Sequence, residues 1–239
     1  KVPPILIGIV IVSVGTTTPE LAVSIQATLD GNAQLALGNA VGSVIYDDGL
    51  ALPMVAFFAP AVVLIDRVVL RSAAVFLIIV DLLAYYMASD GTLSRGEGAV
   101  LVFGFVLYLV YTYWEHRRGR QVVDEDELDH EPSSWGRTIL LMVAGLVGVL
   151  ISSEGIVLAA PVIALSMGVS DIIVTLVIVA LGTSIPEIAT CIVAARKGQG
   201  GLAIGNILGA DILNICWIAG ASASVNALHV STDVIHFMF

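Results

Sequence analysis

The chain has 239 residues, 58% of them hydrophobic and 13% charged, with a mean hydropathy of +0.98; an ordinary globular domain is nearer half apolar and a quarter charged. That deficit of charge excludes a disordered chain, a coiled coil and most soluble enzymes. The net charge of −10, from 20 acids against 10 bases, excludes a nucleic-acid partner, which needs a basic face. What remains is an all-α polytopic membrane protein whose first partner is the lipid bilayer.

Crossing a bilayer takes roughly 20 apolar residues at 1.5 Å rise each. Seven stretches qualify: 3–29, 34–59, 68–88, 97–114, 137–165, 170–195 and 202–224. None alternates with period two, and open sheets do not cross lipid, so the expected spans are helices. The first is no signal peptide: it contains Gly15-Thr-Thr-Thr-Pro-Glu20 and lacks a small-residue cleavage site. An eighth stretch begins near Val230. Cys191 and Cys216 lie in apolar stretches without metal spacing, which indicates neither a disulfide framework nor zinc.

The basic residues orient this array. Lys1, Arg67, Arg71, Arg117, Arg118, Arg120, Arg137, Arg196 and Lys197 fall on the side where the first span begins, and Arg95 alone falls opposite. The side with nine is expected to be cytoplasmic, including the polar segment 115–136. Within it, Asp124-Glu-Asp-Glu127, Asp129 and Glu131 hold six of the 20 acids. No Gly-containing calcium-loop pattern accompanies them, and such runs are ordinarily solvated.

A shift of 167 residues superimposes Gly15-Thr-Thr-Thr-Pro-Glu20 on Gly182-Thr-Ser-Ile-Pro-Glu187, and Gly38-Asn39-x-x-Gly42 on Gly205-Asn206-x-x-Gly209. Identities between 15–47 and 182–214 concentrate in glycines, a proline, an asparagine and a glutamate, which shared apolarity does not explain. An odd number of spans separates the copies, so the second has opposite topology. Inverted repeats that meet at the midplane are the architecture of many secondary transporters. The chain divides accordingly into 1–114, the loop 115–136, and 137–239.

Thr-x-Pro-Glu within a membrane helix is costly. Proline removes a backbone bond and clashes with the preceding turn. Free carbonyls there need protein, water or an ion. A glutamate at that depth costs at least ~2.5 kcal/mol and points to function. The combination occurs twice, at Thr16/Pro19/Glu20 and Thr183/Pro186/Glu187. Carboxylates, hydroxyls and freed carbonyls are hard oxygen ligands; calcium takes 6–8 of them at about 2.3–2.6 Å. No soft ligand accompanies them, so calcium, sodium, or both in turn are indicated. The glycines of the second motif allow close helix packing, and Asn39 and Asn206 offer hydrogen bonds across helices or to the loosened backbone. One turn beyond Ser43 and Ala210 come Asp47 and Asn214, on the same helix face.

Together GTTTPELAVS (15–24), GNAVGS (38–43), GTSIPEIAT (182–190) and GNILGADILN (205–214) resemble the two alpha-repeats of the sodium/calcium exchanger (calcium/cation antiporter) superfamily. The resemblance implies the inverted-repeat exchanger fold of ten helices, with the repeats in helices 2–3 and 7–8. The seven spans would be helices 2–8, and a truncated chain is expected, because helix 1 and most of helices 9 and 10 lack counterparts. Carried over, the central glutamates match Glu20 and Glu187. The hydroxyl and carbonyl ligands match Thr16, Thr17, Thr183 and Ser184. The positions of helices 3 and 8 match Ser43 with Asp47 and Ala210 with Asn214. The family often has the amide in the first repeat and the acid in the second; this chain reverses them, and Ala210 lacks a side-chain oxygen.

The implied function is exchange of sodium for calcium by alternating access, in a multi-pass protein of the plasma or inner membrane, with no cofactor and no enzymatic activity. Glu20, Glu187 and Asp47, if ionised, carry −3, which three sodium ions neutralise and one calcium leaves at −1. Protons should compete for the glutamates, so acid should inhibit. A calcium/proton exchanger is the alternative within transporters, and a channel differs by needing no counter-ion. An intramembrane aspartyl protease is remoter: Tyr46-Asp47 and Ala51-Leu52-Pro53 fit faintly, but Leu208-Gly209-Ala210-Asp211 lacks the required Gly-x-Gly-Asp. Asp211 reads as an interhelical hydrogen-bond partner, with lining of the ion pathway as the alternative. Asp48 points elsewhere on the helix than Asp47, in a secondary or structural role; for Glu154 with Ser152 and Ser153, pathway lining and helix packing both stay open. Asp81 has no evident partner.

Overall fold

The computed structural model describes residues 4–65, 67–117, 135–168, 173–232 and 235. The acidic run from Asp124 to Glu131 lies outside them, as do the side chains of Ser152, Ser153 and Glu154. In chain order the helices are α1 (residues 4–16), α2 (Thr18–Leu29), α3 (Ala33–Phe58), α4 (Arg67–Ala88), α5 (Arg95–Arg117), α6 (Trp135–Ser166), α7 (residues 174–183), α8 (Ile185–Arg196) and α9 (Gly200–Val225). A two-residue ribbon pairs β1 (Thr92–Leu93) antiparallel with β2 (Leu228–His229), tying the α4–α5 turn to the chain after α9.

Among the described residues, α3, α4, α5 and α9 are each long and apolar enough to cross a membrane. The pairs α1/α2 and α7/α8 each suffice for one further crossing, although they bend by 53° and 48° at their breaks. Large apolar side chains lie bare on α4 (Ile78, Ile79, Leu82, Tyr86) and α5 (Phe103, Leu107, Val110, Trp114). A water-soluble monomer does not tolerate continuous apolar faces of this size, whereas lipid solvates them. α9 is the opposite case: 83% of its apolar stretch is buried, against 22% for α4. It is the central post, packed on α1, α8, α5 and the middle of α3.

Glycine sets these close approaches. A Cβ on Gly209 would stand 2.5 Å from the Ile9 carbonyl oxygen, and one on Gly8 would stand 2.5 Å from that of Leu202. α1 and α9 therefore touch backbone to backbone. The hairpins α2–α3 and α8–α9 close through Gly31 (φ 76°) and Gly198 (φ 73°), a left-handed geometry that L side chains resist. The next helix starts at Asn32, whose side chain accepts from Leu35 N–H at 3.0 Å and caps α3.

Four π-helical turns interrupt the α-helices, and they fall in matching places. Gly8–Val12 and Val174–Val179 precede the two breaks, while Asp47–Ala51 and Leu213–Ala219 lie within α3 and α9. Shifted by 167, 8–12 becomes 175–179 and 47–51 becomes 214–218. Such single widened turns are rare and often accompany functional sites. For α3 the sequence offers a cause: Pro53 follows the turn and crowds the carbonyl four residues back.

Candidate cation site at the paired helix breaks

Each break is a single residue. Thr17 (φ −79°, ψ 8°) separates α1 from α2, and Ser184 (φ −78°, ψ 0°) separates α7 from α8. The chain stays hydrogen-bonded as it turns. Thr17 N–H donates to Ser13 O at 2.9 Å and Ser184 N–H to Ala180 O at 3.0 Å. Pro19 and Pro186 then open the new helix at positions where a missing N–H costs little. The following glutamate lies in the first turn of α2 or α8, where the positive end of the helix dipole favours an anion. The Thr-x-Pro-Glu pattern thus builds one local device twice: a bend, a helix N-terminus and a carboxylate upon it.

The two devices are cross-linked. Thr16 Oγ1 donates to Asn206 Oδ1 at 3.3 Å, and Thr183 Oγ1 donates to Asn39 Oδ1 at 3.0 Å. Each asparagine spends its N–H₂ within its own half. Asn39 donates to Glu20 O at 3.2 Å and to Ser24 Oγ at 3.1 Å; Asn206 donates to Thr190 Oγ1 at 3.1 Å and to Cys191 Sγ at 3.5 Å. Ser24 and Cys191 complete the pattern by donating to Ala36 O and Ala203 O at 3.1 and 3.5 Å. Both asparagines therefore bond across the halves, and Asn39 alone also bonds backbone, at the Glu20 carbonyl. Ser24, Thr190 and Cys191 were not singled out from sequence. For Ser24 and Cys191 the signal was the same 167-residue offset, which places Cys191 on Ser24 and Ala203 on Ala36; Thr190 falls on Val23 and had none.

The sequence-derived candidates Thr16, Thr17, Glu20, Ser43, Asp47, Thr183, Ser184, Glu187 and Asn214 are all buried. Ser43 and Thr183 hydroxyls lie 3.4 Å apart. Thr17 Oγ1 donates to Ser13 O at 2.8 Å and the Thr17 carbonyl accepts from Leu21 N–H at 3.1 Å, which leaves the second carbonyl lone pair and those of the hydroxyl as acceptors. Both carboxylate oxygens of Glu20, Glu187 and Asp47, the Asn214 amide and the Ser184 hydroxyl have no hydrogen-bond partner. Thr183 acts on the Glu20 carboxylate and Thr16 on that of Glu187, without a well-formed hydrogen bond to either. Glu20 also feels the charges of Glu187 and Asp47.

Buried carboxylates without partners are expensive, each by several kcal/mol when ionised. Cations offset that cost, and the candidate ligands among these groups are hard oxygens or an amide. Among the described residues, no three His, Cys, Asp or Glu side chains converge tightly enough to hold a metal ion on their own. A cation seated here must take hydroxyl, amide and carbonyl oxygens along with carboxylate, the mixed shell that calcium and sodium accept.

Asp211 departs from the first of its two sequence readings, the interhelical hydrogen bond. It is fully buried, but neither carboxylate oxygen has a hydrogen-bond partner. The helix turns it toward other acids, Asp47, Asp48, Asp81 and Glu187, rather than toward a donor. Asp48, next to buried Asp47, is exposed.

The sequence profile of the sodium/calcium exchanger protein family matches residues 1–114 and 137–239. The inner membrane protein YrbG of Escherichia coli is 34% identical over 230 residues, covering 94% of this chain and 70% of YrbG. The sodium/calcium exchanger MaX1 of Methanosarcina acetivorans is 26% identical over 267 residues, covering 97% of this chain and 76% of MaX1. Among solved structures, the sodium-calcium exchanger NCX_Mj soaked with Na+ and Ca2+ superposes with a TM-score of 0.77 at 29% identity, covering 99% of this chain and 76% of that one. The fold is that exchanger's all-helical membrane fold, and the relatives are transporters, which removes the protease reading. The chain belongs to the sodium/calcium exchanger family.

Proposed function

We propose that the protein is a secondary antiporter that exchanges sodium for calcium across a membrane, with both ions competing for one site between the two helix breaks. The observation that carries this reading is the pair of buried, unpartnered glutamates, Glu20 and Glu187, each one residue beyond a proline at a break. In the proposal they are the shared ligands of both ions. Thr16, Thr17, Thr183 and Ser184 add hydroxyl or carbonyl oxygens. Ser43, Asp47 and Asn214 serve flanking positions. The halves 1–114 and 137–239 act as inverted repeats, and the loop 115–136 is cytoplasmic.

Occupancy by one ion excludes the other because both need the same carboxylates. Glu20, Glu187 and Asp47 bring −3 when ionised, so three sodium ions neutralise the site and one calcium leaves it at −1. Moving an uncompensated charge through the membrane interior is costly. Alternation between access states is therefore favoured only with ions bound, and that condition couples the two fluxes. In proteoliposomes at constant pH, an outward sodium gradient should drive calcium uptake. Uptake that ignores sodium and follows a proton gradient would replace this reading with calcium/proton exchange. Uptake with no counter-ion at all would replace it with a channel.

A further inference from the structure

Three acids stand apart from the ligand set just proposed. Asp48 is exposed and Asp81 half-buried, while Asp211 is fully enclosed. They come from three different elements: the π-helical turn of α3, the middle of α4, and α9. α9 packs on both of the others, so the three acids belong to one neighbourhood. Both oxygens of Asp211 and Oδ1 of Asp81 are buried without a hydrogen-bond partner. Asp81 feels the charge of Asp48. Asp211 feels Asp48 and Asp81, and also Asp47 and Glu187.

Exposure therefore falls from Asp48 to Asp81 to Asp211; Asp211 feels Asp47 of the central cluster first, then Asp48, then Asp81. A carboxylate at mid-membrane depth that faced hydrocarbon would cost at least ~2.5 kcal/mol, and residues of this kind face a water-filled cavity or the bundle interior. The three do not gather tightly enough to chelate an ion. Loose, successive carboxylates draw cations in without trapping them, which is what conduction through a charged passage requires.

We infer that Asp48, Asp81 and Asp211 line the aqueous path by which cations reach the central glutamates, with Asp211 at its inner end. The inference rests on the exchange reading. Negative charge along a low-dielectric passage raises the local cation concentration and the entry rate, by about 10- to 1,000-fold in favourable cases, and salt screens the effect.

The test uses the full-length protein in proteoliposomes. At calcium well below KM, Asp48→Asn with Asp81→Asn should slow sodium-driven calcium uptake about tenfold, while the maximal rate changes little. The wild-type rate should fall as choline chloride is added, and that dependence should flatten in the double variant; Asp81→Glu should keep it. A loss of packing alone would not flatten a salt dependence. Asp48→Cys and Asp81→Cys should react with a membrane-impermeant thiol reagent, faster than the unsubstituted protein with its buried Cys191 and Cys216. Asp211→Asn should raise KM for calcium and leave the melting temperature within a few degrees. Unreactive cysteines at 48 and 81, or a salt dependence unchanged in the double variant, would overturn the path. Wild-type protein without sodium-driven uptake would overturn the exchange reading instead.

Discussion

The first half of the site, residues 15–47, and the second, 182–214, build the same scaffold with different side-chain chemistry. The scaffold residues agree: a break at Thr17 or Ser184, a proline, a glutamate, and a cross-linking asparagine. The hydroxyls do not. Ser24 becomes Cys191, Thr28 becomes Ala195, Ser43 becomes Ala210, and the acid Asp47 becomes the amide Asn214. As a result Ser43 meets Thr183 at 3.4 Å, whereas Ala210 offers Thr16 no hydroxyl. The difference separates two tasks. What both halves retain fixes the central pair of glutamates, and what only the first half retains biases the flanking positions toward it.

The sharpest way to break this comparison is to remove the shared charge from one half at a time. Glu20→Gln and Glu187→Gln each keep the shape of the side chain. If the two halves contribute equally to one site, both should abolish sodium-driven calcium uptake, a loss exceeding the about 10- to 100-fold that removing a mere supporting group costs. Retained flux in both variants would exclude the glutamate pair as the site. A large asymmetry between them would mean that only one break binds calcium.

The second test exchanges the chemistry that differs. Asp47→Asn should cut sodium-driven uptake by about 10- to 100-fold, because a charge-assisted contact of roughly 1.5–3 kcal/mol is lost. Asn214→Asp alone adds a charge. Asp47→Asn combined with Asn214→Asp restores the count on the opposite side. If total charge sets the coupling, the pair should recover more of the flux than either single variant and keep the charge moved per calcium, read as the voltage dependence of uptake. If position decides, the pair should be as poor as Asp47→Asn.

Much of this was legible beforehand. The helical class, the positions of the bends and the burial of the glutamates follow from apolar length and from a proline-glutamate motif repeated at one offset. The cross-links between Thr16 and Asn206 and between Thr183 and Asn39 were not. They join residues 190 and 144 positions apart, and no local pattern encodes which half a polar side chain will face. The π-helical turns were also hidden. A widened turn depends on how α9 packs against α1 and α3, and only Pro53 gives a local hint. Asp211 shows the limit most clearly: its position suggested an ordinary interhelical bond, but packing placed other acids around it.

The asparagines sharpen the comparison on the side of stability. Asn39 and Asn206 each hold a threonine from the opposite half, so truncating either leaves several buried groups unpaired. Asn39→Ala and Asn206→Ala should each destabilise the folded protein by about 1–3 kcal/mol, read as a lowered midpoint in thermal unfolding in detergent. Asn39 should cost more. It bonds the Glu20 carbonyl at 3.2 Å and the Ser24 hydroxyl at 3.1 Å, while Asn206 has no backbone acceptor and meets, in place of the Ser24 hydroxyl, the weaker acceptor Cys191 Sγ.

The smallest expected effect is the most direct probe of the asymmetry. Ala210→Ser restores in the second half the hydroxyl that Ser43 supplies in the first. Ala210 is buried beside Gly209, whose missing side chain already brings α1 within contact, so only a small group fits. A serine adds one oxygen, which must find a partner or pay up to roughly 1–3 kcal/mol for desolvation. By analogy with the Ser43 and Thr183 pair, that partner is the Thr16 hydroxyl. If it is, the substitution should be nearly neutral for stability and should raise the apparent sodium affinity a few-fold, measured as the sodium concentration that half-inhibits calcium binding. Thr16→Val in the same background should remove the gain. A destabilised protein with unchanged sodium affinity would show that the second half lost its hydroxyl for packing against α1, and that the asymmetry of the repeats was set by the helix interface before it served the ions.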